Sequence, residues 1–220
     1  MGMGKSVREM IAKRAAKEIS VGMVVNLGIG IPTLVADYLP PSLPVMFHAE
    51  NGVLGTGAKP NHGEENPHLC NAGGYPITTV KGASYFDSAT AFAIIRRGKL
   101  DMTIMGALQV SEIGDLANWI VPGKRVPGMG GAVELAQKAQ RVVILMNHTD
   151  KYGEPKIVKT CRLPLTAPHC VDLIITEMAV IEVTDKGLVL KEIFSPYSLE
   201  DVIDNTEPEL QVKGDVKVVS

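Results

Sequence analysis

The stretch F47-H-A-E-N-G-V-L-G55 sets a carboxylate, Glu50, at the end of an apolar run from Leu43 to Phe47 and against an Asn-Gly turn. No Lys or Arg between Lys17 and Lys59 is available to pair with it locally. An acid beside Asn-Gly suits an ordinary hairpin, in which it is a solvated surface residue. A Glu at a strand end beside glycine-rich loops suits a different task, as a general base or as a nucleophile that forms a covalent acyl intermediate. Without a neighbouring cation the carboxylate is less stabilised as an anion, and so readier to react.

Two glycine-rich loops supply that setting. The first, N26-L-G-I-G-I-P-T33, follows an apolar strand. Strand then G-x-G is half of a dinucleotide fingerprint. However, Thr33 takes the third glycine position, Pro32 intervenes, and no acid closes a ribose-binding strand, which argues against a nicotinamide or flavin site. What remains is a tight turn at Gly28 and Gly30, where backbone N–H groups and the Asn26 amide meet a ligand. A plain strand-to-helix turn with Pro32 at the first helical position accounts for it equally. The second loop, G128-M-G-G-A-V-E-L135, strips side chains from a helix entrance at Gly128, Gly130 and Gly131. Free N–H groups there suit an anion or an oxyanion, the alternative being a close-packing turn.

Other chemistries find less support. G-x-S-x-G is absent, and Cys70, Cys161 and Cys170 form no C-x-x-C or other recognisable motif. The segment N61-H-G-E-E-N-P-H-L-C70 gathers His62, Glu64, Glu65, His68 and Cys70, but in no common zinc spacing, so it reads as a polar surface loop and no metal is expected.

The elements that position these residues alternate between strand and helix. Strands are expected at 23–27, 45–48, 77–80, 101–105, 141–146, 173–176, 179–183 and 188–190. Helices are expected at 6–19, where Ser6 and Glu9 form a capping-box pattern, and at 33–38, 88–98, 130–140 and 198–204. Such alternation implies an α/β fold, an open, mostly parallel sheet flanked by helices, with the ligand site at the carboxyl ends of the strands. No internal repeat or linker is visible, so residues 1–220 read as one domain with an irregular tail from about 210.

The chain has 220 residues, 45% hydrophobic and 21% charged, with 22 basic against 24 acidic side chains. That near balance, with few and scattered aromatics, argues against nucleic acid as a partner. No apolar run is long enough to span a bilayer, and odd, unpatterned cysteines suit a reducing, cytoplasmic setting. The basic amphipathic first helix carries Glu18, which suits a folded helix rather than a transit peptide.

F47-H-A-E-N-G-V-L-G55 resembles the active-site signature of the family I coenzyme A transferases, in their beta subunits, which runs Leu/Phe, His/Gln, Ser-Glu-Asn-Gly, two aliphatic residues and a small one. The resemblance extends over V25-N-L-G-I-G-I-P-T33, N71-A-G73, G82-A-S-Y-F-D-S88, V110-S-E-I-G-D-L-A-N-W119, P122-G-K124, G128-M-G-G-A132 and T160-C-R-L-P-L-T166. It implies a CoA-transferase fold and transfer of CoA from an acyl-CoA to a short-chain carboxylic acid such as acetoacetate, succinate or acetate. The route is ping-pong, through a glutamyl-CoA thioester on Glu50, and no cofactor beyond the CoA substrate is required.

By position, Asn26 and the N–H groups of Gly131 and Ala132 resemble the oxyanion and carbonyl donors. Gly28, Gly30, Asn51, Gly52, Gly130, Gln109 and Lys151 are weaker candidates for substrate or CoA contact. Single-chain members fuse two domains of this fold, and this chain resembles the Glu-bearing one, without the G-G-F segment of the other. The resemblance therefore implies an alpha subunit as partner, in an αβ or α2β2 assembly. Ala49 stands where the family usually has Ser, which bears on Glu orientation and acyl choice. Two alternatives use the same residues differently: an acyl-CoA hydrolase acting through Glu50, and a non-catalytic ligand-binding domain of related fold.

Overall fold

The structure, a computed structural model, describes residues 4–123 and 128–219. Its helices are α1 (Lys5–Ala16), α2 (Ser88–Arg96), α3 (Ala132–Lys138) and α4 (Leu199–Asp204), with a 3-10 helix at Pro32–Tyr38. The strands that build the site are β1 (Val24–Leu27), β2 (Met46–Ala49), β3 (Val53–Thr56), β4 (Thr79–Tyr85) and β5 (Met102–Gly106). They are followed by β6 (Gln109–Ser111), β7 (Leu116–Ala117), β8 (Val142–Leu145), β9 (Ile157–Val158), β10 (Leu173–Ile175), β11 (Ala179–Thr184), β12 (Gly187–Phe194) and β13 (Leu210–Val219).

One sheet runs β13-β12-β11-β10-β8-β5-β1-β2-β3-β4, and β7-β6-β9 form a second, small one. The central run from β10 to β2 is parallel, and antiparallel pairings lie towards both sides. Parallel strands read as unbroken apolar runs because both faces are covered. In β5, Met102 and Ile104 pack with Ile11 and Ala15 of α1, whereas Met105 packs on the opposite face with Ile95 of α2 and Leu135 of α3.

Three expectations change. The anticipated irregular tail from about 210 is instead β13, paired in parallel with β12 (Leu188↔Leu210, Phe194↔Val219). Its sequence, L210-Q-V-K-G-D-V-K-V-V219, alternates like an edge strand with one wet face, a weaker signal than a buried run. The Ser6–Glu9 capping box does not form: α1 begins at Lys5 with Gly4 at its N-cap and no side-chain cap, which places Ser6 inside the first turn. The one capping box found among the described residues is Ser198 with Asp201, at α4. Third, residues 33–38 wind as a 3-10 helix entered through Pro32.

Chain order places a switch point between β1 and β5. From β1 the chain passes through the 3-10 helix to β2 on one side. It then returns through α2, on the opposite face, to β5 on the other side of β1. The carboxyl ends of β1 and β5 therefore open a crevice, the usual ligand position in open α/β sheets.

Candidate active site

A cleft of about 640 Å³ occupies that crevice. Its walls include Gly28 just after β1, Ala49 at the end of β2 with Glu50 following it, Gly106 at the end of β5 with Ala107 following it, and the loop Gly128–Ala132. Glu50 and His48 are the only ionisable side chains among the described residues that line it.

The hairpin and the site turn out to be one feature. β2 and β3 pair as Ala49↔Val53, so Glu50, Asn51 and Gly52 form the connecting loop. Gly52 N–H donates to the Ala49 carbonyl at 3.0 Å, and Gly52 adopts φ +113, which an L side chain rarely accepts. A Cβ at Gly52 would also lie 2.0 Å from the Phe86 carbonyl oxygen, so backbone approaches backbone here. This tight loop turns the Glu50 carboxyl into the cleft, half-buried, rather than out to solvent.

Asn26 holds it there. The Asn26 side chain is 1% exposed, and its Nδ2 donates to the His48 carbonyl and to Glu50 Oε2, each at 3.1 Å. Glu50 takes part in no ion pair among the described residues. Burial pushes the His48 imidazole below its ordinary value, more than the nearby Glu50 charge raises it. His48 is thus neutral, and neither ring nitrogen has a hydrogen-bond partner among the described residues.

The glycine-rich loop closes the opposite wall. A Cβ at Gly131 would sit 3.6 Å from Glu50 Cγ and 3.0 Å from the Phe92 ring, so this backbone lies against the carboxylate side chain. Gly131 is the N-cap of α3, which is seven residues long. The Ala132 N–H, expected as a second donor, is taken by the Met129 carbonyl at 3.2 Å in a tight turn.

The weaker candidates separate. Gly28 and Gly130 line the cleft. Gly28 also brings β1 against β5, its N–H donating to the Ile104 carbonyl at 2.8 Å, where a Cβ would meet that oxygen at 3.1 Å. Gly30 stands off the lining at φ +96 and shapes the turn. Asn51 Nδ2 donates to the Cys70 carbonyl at 2.8 Å, tying the hairpin to the loop that brings Asn71 and Gly73 to the cleft lip.

Gln109 lies outside the lining. Its Oε1 accepts the N–H groups of Arg162 and Leu163 at 2.9 and 3.0 Å, a structural task that anchors the segment after β9. Lys151 also lies outside, exposed and 4.6 Å above the Tyr152 ring. Lys124, in the P122-G-K124 motif, falls outside the described residues.

Sequence reasoning missed Asn118 and Trp119 as cleft residues, and Thr103 beneath Asn26. Asn118 Nδ2 donates to the Gly106 carbonyl at 3.2 Å, and its Oδ1 accepts from Thr166 at 2.7 Å. The one available signal for Thr103 was a hydroxyl within the apolar run D101-M-T-I-M105.

Competing nucleophiles stay quiet. Burial pushes the Cys161 thiol up to about 11 and the Cys170 thiol up to about 12, so both are protonated. His62 and His68 are exposed, Glu64 accepts from Asn61 and Glu65 from Gly63, and no group of three metal-ligating side chains occurs among the described residues. No helix among them is long and apolar enough to cross a membrane.

Residues 8–205 match the Coenzyme A transferase family. The beta subunit of a probable coenzyme A transferase from Bacillus subtilis is 61% identical over 212 residues, 96% of this chain and 98% of that one. The B-type subunit of a succinyl-CoA:3-ketoacid coenzyme A transferase from Helicobacter pylori is 48% identical over 207 residues, covering 94% and 100% of the two chains. In three dimensions the fold matches an acyl-CoA transferase, YdiF, from Escherichia coli O157:H7, with a TM-score of 0.79 at 19% identity. That match takes in all of this chain but only 44% of the YdiF chain. The chain belongs to the coenzyme A transferase family, and the relatives it matches nearly end to end are beta or B-type subunits.

Proposed function

We propose that this chain is the beta subunit of a coenzyme A transferase that moves CoA from an acyl-CoA to a short-chain carboxylic acid of the 3-oxoacid, succinate or acetate class, working with a separate alpha subunit. The observation that carries this reading is Glu50, half-buried in the cleft, held by the Asn26 amide and packed against Gly131. The named functions of the full-length relatives support it independently.

Glu50 attacks the thioester carbonyl, the C–S bond breaks, and an acyl-glutamyl anhydride and CoA thiolate result. The thiolate then attacks the glutamyl carbonyl, giving glutamyl-CoA thioester and releasing the first acid. A second carboxylate reverses both steps and leaves as the new acyl-CoA, so atoms and charge balance over the cycle. Each attack on the glutamyl carbonyl places negative charge on the oxygen that Asn26 Nδ2 already faces. At the substrate carbonyl the donor is the Gly131 N–H, since Ala132 spends its own on Met129. Among the described residues no cation lines the cleft, which supports the reading of the Glu50 carboxylate as a nucleophile.

The test is intact mass spectrometry of the assembled alpha–beta complex, exposed to acyl-CoA before any acceptor acid is added. A CoA adduct on the parent beta chain that is absent from Glu50→Ala is expected. An adduct that persists on Glu50→Ala overturns the assignment. Turnover requiring the second carboxylic acid distinguishes transfer from hydrolysis.

A further inference from the structure

Asn26 can serve Glu50 only with its NH2 end towards the carboxyl group, and the two ends of an amide have opposite needs. Nδ2 faces two acceptors, the His48 carbonyl and Glu50 Oε2, which use both of its hydrogens. Oδ1 points the other way, into a layer where Asn26 is 1% exposed, and there it needs a donor. Thr103 provides it. β5 and β1 pair in register as Asn26↔Thr103, so the two side chains project from the same face of the sheet. The Thr103 hydroxyl donates to Asn26 Oδ1 at 3.2 Å, and Thr103 itself is fully buried. Across the sheet the same row continues through Asn26↔His48.

We propose that Thr103 is a positioning residue for the transfer reaction, its hydroxyl fixing the Asn26 amide so that Nδ2 stays aimed at the Glu50 carboxyl group throughout the cycle. The inference rests on the reading of Glu50 as the nucleophile. While Glu50 is ionised, its charge helps to hold the NH2 group. Once Glu50 is a glutamyl thioester that charge is gone, and the amide is held by the His48 carbonyl on one end and Thr103 on the other. Without the hydroxyl, Oδ1 is a buried acceptor lacking a partner, and any rotation that relieves it swings Nδ2 off the glutamyl oxygen. The donor would then be misaligned when the oxyanion forms.

The experiment compares Thr103→Val, Thr103→Ser, Asn26→Ala and the Asn26→Ala/Thr103→Val pair, each assembled with the alpha subunit. The rate of CoA adduct formation on Glu50 is followed by quenched intact mass measurement, with steady-state kcat and KM alongside. Valine keeps the shape of threonine and loses only the hydroxyl. Thr103→Val is expected to slow adduct formation and kcat about tenfold, the scale of one hydrogen bond, with KM for acyl-CoA within about twofold. Thr103→Ser restores the rate to within about threefold of the parent. In the Asn26→Ala background the valine substitution has no further effect, because its route through Asn26 is gone.

Parental rates in Thr103→Val overturn the proposal. So does equal impairment in Thr103→Ser, or an undiminished valine effect without Asn26. Thr103→Ala, which removes the hydroxyl without adding bulk, must show the same dependence on Asn26. Failure of the parent complex to form any adduct on Glu50 would instead remove the proposed function, and is seen before any Thr103 variant is compared.

Discussion

His148 gives the sharpest prediction about stability, because its hydrogen bonds dictate its protonation state. It is fully buried between Thr176 and Thr206, with Nδ1 and Nε2 each 2.9 Å from a hydroxyl oxygen. Thr206 spends its hydrogen on the Val202 carbonyl at 2.7 Å, so it accepts from His148 Nε2–H. Thr176 Oγ1 already accepts N–H groups from Met178 and Ala179, each at 3.1 Å, and of the two acceptors its hydrogen can reach, Nδ1 at 2.9 Å lies nearer than the Ala179 carbonyl at 3.3 Å. A proton on Nδ1 would face an oxygen whose lone pairs are in use. Burial, with a smaller contribution from the Lys156 charge, accordingly lowers the imidazole from 6.5 to about 4.

The folded value lies below the unfolded one, so the unfolded chain takes up the proton first. Stability is complete above about pH 6.5 and is lost as pH falls towards 4. Relative to neutral pH the cost is about 2 kcal/mol at pH 5 and approaches 3 kcal/mol below pH 4. Urea titrations of the parent and His148→Gln at several pH values between 4.5 and 7.5, followed by circular dichroism, isolate this group from the carboxylates common to both. The parent should lose up to one proton's worth of slope, about 1.4 kcal/mol per pH unit, that the variant does not. Superimposable pH dependences would refute the reasoning.

Three further outcomes follow from the geometry. Gly52→Ala drives a Cβ into the Phe86 carbonyl at a φ of +113 and should cost about 3 kcal/mol, read as a fall of roughly 6–12 °C in Tm. Gly131→Ala keeps an ordinary φ of −80 but pushes on the Phe92 ring and Glu50, and should lower kcat about tenfold while Tm of the assembled enzyme changes by a few degrees at most. Burial lowers Lys156 to about 8, against the opposing pull of Glu177 and Asp150. The unfolded chain therefore holds that proton longer, and stability should rise between about pH 8 and 10.5 in the parent but not in Lys156→Met, as denaturant titrations would show.

Local chemistry alone determined much of this protein. Apolar runs such as V142-V-I-L145 and L173-I-I175, alternating with helical patterns, read as strands buried on both faces, which implies a mostly parallel sheet with helices on each side. The Asn-Gly pair of F47-H-A-E-N-G-V-L-G55 signalled the hairpin, whereas Glu50 stood out from a surface hairpin acid only beside the two glycine-rich loops and through the resemblance to the family signature. Edge strand β13 escaped notice because a half-wet strand beside charged residues carries little hydrophobic signal. Other functions were decided only in three dimensions. Gln109 and Lys151 share a chain with the site but not its cleft, and the Ala132 N–H is consumed by a turn that glycine content could not disclose. The Thr103–Asn26–Glu50 row is the clearest case, since its first two members are 77 positions apart. Sequence spacing carries no record of strand register, and register sets a hydroxyl of β5 beside an amide of β1, while the tight loop after β2 turns the carboxylate to that amide.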